Sequence, residues 1–142
     1  MAAVSSSVTI NQPVEKVFEY VTNVNNHVAW QGSILDAAIE PKGPAALGSI
    51  YRYGTNVMGK RYDSQMQISS FEPNKTWGIK TIGVPQSMET VYRFEGAGNT
   101  TKITISMELG GGFPAAAEGA IKAQMQKSLD EQGVRIKQFV ER

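Results

Sequence analysis

The sequence predicts an α+β domain, a curved antiparallel sheet closed by one long C-terminal helix. Three observations predict it. A short amphipathic helical pattern comes early, in "NQPVEKVFEYVTNV". Between Gly48 and Leu109 almost every segment alternates apolar with polar residues, so one sheet face is buried and the other wet. A single 3.6-residue pattern then fills the end of the chain, the only late element able to cover that buried face. A bent sheet wrapped round one helix tends to leave a hollow, so the layout points to a pocket.

The elements follow in order. Val4, Ser6, Val8 and Ile10 alternate in a first strand. Pro13 then suits a first helical position, with Gln12 as N-cap and Glu15 near the positive helix end. Val14, Val17, Phe18 and Val21 form the buried face, and Asn23 ends the helix. "NNHVAW" reads as a second, shorter turn that places Trp30 inward. The next strand sets Leu35, Ala37 and Ile39 on one side, and "EPKGPAALG" breaks it.

The remaining strands are joined by short turns and therefore pair antiparallel. Tyr51 and Tyr53 point inward opposite Arg52, and Gly59 marks a hairpin. Tyr62, Met66 and Ile68 share one phase, followed by Trp77, Ile79 and Thr81 in the next strand. Met88, Thr90, Tyr92 and Phe94 share one phase of the next strand, and Ile103, Ile105, Met107 and Leu109 one phase of the last. After "GGGFP", with Pro114 near its start, the long helix places Ala117, Ile121, Met125, Ser128, Leu129, Gln132, Ile136 and Phe139 on one side.

Composition narrows the function. The chain has 142 residues, enough for one domain with a core, and residues 1–142 read as a single unit without repeat or linker. A net charge of +1 without a Lys/Arg cluster argues against a nucleic-acid binder. Lys60 and Arg61 read as strand-end charges. The lack of cysteine removes thiolate chemistry and Cys-ligated metals, and one histidine lacks the partners a zinc site needs. Neither a leader peptide nor a bilayer-length apolar run is visible, so a cytoplasmic protein without cofactor is expected.

The residues "VTINQPVEKVFEYVTNVNNHVAWQGSI", the ladder "LGSIYRY…GKRYDSQMQISSFEPNKTWGIKT" and the pair "YRFEGAGNTTKITISMEL" resemble the START-like helix-grip (SRPBCC) superfamily. The likeness runs from Val4 to Val140, and is closest to the polyketide cyclase/dehydrase and lipid-transport type. It implies about seven antiparallel strands gripping the C-terminal helix, two short helices after the first strand, and a hydrophobic cavity between sheet and helix. The superfamily's plant hormone receptors carry gate and latch sequences. "GTNVMGK" and "TIGVPQS" match neither, so a sensing role is not carried over.

With that cavity implied, the inward phase supplies its candidate lining: Trp30, Tyr51, Tyr53, Tyr62, Met66, Trp77, Ile79, Met88, Thr90, Tyr92 and Met107. Ala117, Ala120, Ile121, Gln124 and Met125 of the long helix complete it, its small early residues leaving volume. Such a lining suits a greasy ligand with one or two polar groups. The expected function is binding or transport of a small hydrophobic molecule: a lipid, an isoprenoid or a polyketide-like compound. The alternative is a cyclase or dehydratase acting on a hydrophobic carbonyl compound in the same cavity.

That alternative needs an acid or base, for which Tyr53, Tyr92, Glu118 and His27 are candidates. His27 reads more simply as an exposed residue at a helix end, and Glu118 as a solvated one. Ser128 and Gln132, polar on the buried stripe, either bond a strand or orient a ligand. A homodimer is the one protein partner kept open. Partner binding through the sheet's outer face fits least, because that face alternates charges.

Overall fold

The computed structural model describes residues 3–31, 34–83, 88–109 and 118–141. Seven strands form one antiparallel sheet: β1 (Ala3–Ile10), β2 (Ile34–Glu40), β3 (Ile50–Val57), β4 (Lys60–Glu72), β5 (Thr76–Ile82), β6 (Met88–Ala97) and β7 (Thr100–Leu109). Their order is β1-β7-β6-β5-β4-β3-β2. Between β1 and β2 the chain therefore passes from one edge of the sheet to the other, and the helical elements lie in that connection. These are α1 (Val14–Thr22), a 3-10 turn (Val24–Asn26) and α2 (His27–Trp30), and α3 (Glu118–Val140) follows the sheet. Among the described residues no helix is long and apolar enough to cross a membrane.

Helix α1 starts one residue later than the sequence suggests. Pro13 is the N-cap, and its carbonyl accepts from the Lys16 and Val17 amides, while Gln12 supplies no cap. The missing proline N–H costs nothing there, and the buried face is Val17, Phe18, Val21 and Thr22. Phe18 meets Phe71 and Phe94 edge-on, with ring centroids 5.5 and 5.0 Å apart. Gly96 admits the start of α1, since a Cβ there would lie 2.9 Å from the Val14 side chain.

Two register shifts escape a strict alternation rule. One lies between Ile34 and Asp36 in β2, and brings Ile34 against the core beside Ala37 and Ile39. Leu35, expected on that inner side, is instead 50% exposed. The other lies between Ile68 and Ser70 in β4. It lets both Ile68 and Phe71 reach the core, although an odd spacing separates them.

Helix α3 lies along the β1 edge and shields its polar backbone. Gln126 donates to the Ser5 carbonyl (2.9 Å), Lys137 donates to the Thr9 carbonyl (2.9 Å), and Ser6 bonds Asp130 (2.6 Å). Met125, Leu129, Ile136 and Val140 are its buried face. Gly133 also faces β1, and a Cβ there would meet Val8 at an ordinary 3.5 Å. Gly133→Ala is therefore expected to stabilise the fold by about 1 kcal/mol through helix propensity. Thermal unfolding should show a rise of roughly 2–4 °C. A fall would mean that Val8 cannot accommodate the methyl group.

Candidate ligand-binding site

The concave face holds an aromatic cluster built from four elements. Trp30 comes from α2, Tyr51 and Tyr53 from β3, Trp77 from β5 and Tyr92 from β6, all at most 3% exposed. Register explains the grouping: Trp77 pairs with Tyr92 across β5 and β6, and their centroids are 4.7 Å apart. Tyr51 and Tyr53 stack two residues apart on β3, at 5.9 Å.

His27 sits at the centre of these rings and is fully buried. It lies 5.0 Å from Tyr51, 5.3 Å from Trp30 and 5.6 Å from Trp77. The reading of His27 as an exposed helix-end residue is thus overturned. The 3-10 turn swings α2 inward and turns the imidazole back toward α1. Its Nε2 stands 2.8 Å from the Val21 carbonyl, which can only accept, so Nε2 carries the proton. Nδ1 is then the acceptor, and the Tyr53 hydroxyl donates to it at 2.8 Å. Burial pushes the His27 pKa down to about 4, the Val21 bond opposing the shift.

The tyrosines move the other way. Burial raises Tyr51, whose hydroxyl donates to the Thr22 carbonyl at 2.9 Å. The Trp77 indole nitrogen lies beside that hydroxyl without completing a hydrogen bond. Tyr53 is raised well above its usual value by burial first, then by Tyr51 and Tyr92, with Gln31 opposing. Burial alone raises Tyr92, which donates to Gln132 Oε1 at 2.7 Å. At neutral pH the whole cluster is uncharged.

Three further inward residues lie at the margin of the core. Met66, Met88 and Ile121 are half-buried, and Tyr62, opposite Thr55 in the ladder, is half exposed. A cleft of about 430 Å³ lies between α3 and the α2–β2–β3 side. Ser128, Glu131, Gln132 and Arg135 form its α3 wall, and Gln31, Leu35 and Asn56 its other wall. A larger cleft, about 750 Å³, lies outside the cluster between α1 and the loop after β2. Among the described residues no three acidic or histidine side chains are grouped to hold a metal ion.

Comparison with known proteins fits this arrangement. The polyketide cyclase / dehydrase and lipid transport family model matches residues 1–133. The chain belongs to that family. No curated protein matches it by sequence. Among solved structures, a START superfamily protein from Mycobacterium smegmatis superposes with a TM-score of 0.80 at 14% identity, over 99% of this chain and 98% of that one. The Zhui aromatase/cyclase from Streptomyces sp. R1128 gives 0.80 at 14%, over 99% and 93%. A protein from Thermus thermophilus gives 0.75 at 12%, over 97% and 96%.

Within this family fold, the residues singled out in the sequence divide into groups. Trp30, Tyr51, Tyr53, Trp77, Ile79, Thr90, Tyr92, Met107 and Met125 are buried. Tyr62, Ala120 and Gln124 are exposed. Ala120 does not face the sheet as its small size had suggested, because five residues carry it well round the helix from Met125. Gln124 falls on the row that continues through Ser128, Glu131 and Arg135. Ser128 is exposed rather than on the buried stripe, whereas Gln132 does bond a strand residue, Tyr92. Ala117 and the Glu118 side chain lie outside the described residues. Of the acid–base candidates, His27 and Tyr53 meet, and Tyr92 stands apart on Gln132. Gln31 was not foreseen, and nothing in its local sequence marks it.

Arg61, set aside as a strand-end charge, binds Asp36 at 2.9 Å and Asp63 at 3.0 Å on the sheet surface. These exposed pairs lower the Asp36 pKa through the Arg61 hydrogen bond but contribute little to stability.

Proposed function

We propose that this protein binds or carries a small hydrophobic molecule between the concave face of the sheet and the first half of α3. One observation carries the reading. The interior chemistry is aromatic and thioether, and every titratable group in the described cluster is neutral and held by another protein group. Such a surface gains affinity by covering apolar area, roughly 25 cal/mol per Å². A proton-transfer pair needs a pKa near the working pH, and His27 and the tyrosines move away from it. Family membership and the family's lipid-transport members support the same reading.

The test uses N-phenyl-1-naphthylamine, a neutral hydrophobic fluorophore that accepts energy from tryptophan. The two tryptophans of the chain both lie in the cluster, so transfer reports that the fluorophore is bound, and substitutions locate it. Met66→Asp and Ile121→Asp should each weaken binding about ten-fold or more. Leu47→Asp, at a distant exposed position, should leave it unchanged. Binding that ignores both inner substitutions would place the ligand elsewhere.

The second reading, a cyclase or dehydratase acting on a hydrophobic carbonyl compound, draws on the family match and the 2.8 Å contact of His27 with Tyr53. It requires reagents to reach that pair. Acylation of His27 by diethylpyrocarbonate in the folded protein would support it, and complete protection would count against it.

A further inference from the structure

The two edges of the sheet are protected unequally. Helix α3 shields β1, whereas β2 ends the strand order on the other side and has no strand beyond it. Among the described residues, the one bond its backbone makes outside the β3 ladder joins the Ile34 N–H to the Gln31 carbonyl, at 3.0 Å. From Asp36 onward the outward N–H and C=O groups are unbonded, which is the usual template for a further strand. The cleft of about 750 Å³ runs along this edge. Ala37, Ala38 and Ile39 all line it, although consecutive strand side chains point to opposite faces, so the cleft meets β2 at its backbone. The opposite wall is one face of α1, with Glu15, Phe18, Glu19 and Thr22 at i, i+3, i+4 and i+7. Phe18 and Phe71, edge-on at 5.5 Å, supply its aromatic lining.

We propose that β2 and α1 form a docking groove for a short extended segment of a partner protein, an apolar residue flanked by lysine or arginine, which adds as a strand to β2. Strand addition supplies main-chain hydrogen bonds, and alternate side chains give selectivity. The apolar residue covers Phe18 and Phe71. The flanking cations follow from the α1 wall, where Glu15 and Glu19 are exposed and form no ion pair among the described residues. Lys42, on the loop wall, is the one cation among the lining residues, so the two carboxylates leave the groove net negative. Glu40 adds little to that field, being tied to Arg52 at 2.8 Å. A second copy of this chain fits less well, because pairing two β2 strands sets Asp36 and Glu40 of one against those of the other. The groove lies outside the aromatic cluster, and its role does not depend on the hydrophobic-ligand reading.

Amide NMR of the full chain, titrated at low salt with acetyl-Lys-Val-Lys-Val-Lys-amide, tests both the place and the chemistry. The peptide should shift the amides of Ala37, Ala38 and Ile39 and those of α1. Acetyl-Glu-Val-Glu-Val-Glu-amide should bind about ten-fold more weakly or not at all. Replacing Glu15 and Glu19 together by glutamine should weaken the lysine peptide about five-fold, and both are exposed, so the fold is kept. Two further peptides carry N-methyl groups, one at the valines and one at the lysines. Alternate residues of a strand present their N–H groups to opposite edges, so one methylated peptide should lose binding about ten-fold and the other should keep most of it. Equal binding of the lysine and glutamate peptides, equal behaviour of the two methylated ones, or no shift along β2 would overturn the groove. A dimer in the peptide-free protein that the lysine peptide dissociates would give the edge to a second copy and overturn the partner. None of these outcomes bears on uptake of N-phenyl-1-naphthylamine, which tests the hydrophobic site separately.

Discussion

Trp77→Ala should lower the melting temperature by roughly 10–20 °C, the largest single loss expected in this fold. Trp77 has no solvent exposure and touches His27, Tyr51 and Tyr92 at centroid distances of 5.6, 5.8 and 4.7 Å. Removing a buried indole costs about 3–5 kcal/mol, through lost transfer energy and the cavity left behind. That is a large share of a typical stability of about 5–15 kcal/mol. The indole N–H completes no hydrogen bond, so the loss is almost wholly packing. Trp77→Phe should accordingly recover part of it, because an aromatic ring of smaller volume still meets Tyr92. Circular dichroism melts at neutral pH decide the matter. A drop of only a few degrees for the alanine variant would show that the cluster is loosely packed.

Stability should also fall by about 3 kcal/mol as the pH drops from 7 toward 4, with His27 as the origin. The unfolded histidine takes up a proton near its ordinary value of 6.5, while the folded one resists until about 4. Between those values the unfolded state binds more protons, so the slope of unfolding free energy against pH is positive. Stability is complete above about 6.5 and is lost on acidification through that window. The rings against His27 belong to tyrosines and tryptophans, which do not titrate there. The surface carboxylates Asp36, Glu40 and Glu141 are held below their usual values by Arg61, Arg52 and Lys137, so their losses come at lower pH. His27→Gln keeps a donor and an acceptor without the titration. Urea unfolding at pH 7 and pH 5 should show a steep loss for the unaltered protein and a flatter one for the variant. Equal slopes would assign the acid sensitivity to other groups.

Alternation carried most of the architecture. Period-two patterns placed Tyr51, Tyr53, Trp77, Tyr92, Ile103 and Ile105 inward, and the structure buries all six. Patterns failed where the backbone slipped. The register shift near Leu35 turned that side chain outward, and the one after Ile68 brought in Phe71 without any periodic signal. On α3 a wheel identifies a stripe but not which edge of the sheet it will meet. The helix settles on β1 through Gln126, Asp130 and Lys137, and that choice turns Ala120, Gln124 and Ser128 away from the core. His27 was hidden for another reason. A lone polar residue in a short loop gives no sign that Val21 and Tyr53 will satisfy both its nitrogens. Long-range partners of that kind have no local trace: the helical wheel marked Gln132 as a buried polar residue but not the Tyr92 hydroxyl that it meets.

The proposed occupancy of the concave face is tested most directly by native mass spectrometry of freshly purified protein. The account predicts a small-molecule adduct that dissociates on gentle activation and is missing from Met66→Asp. A chain that flies bare from every preparation, and that also takes up no N-phenyl-1-naphthylamine, would contradict it.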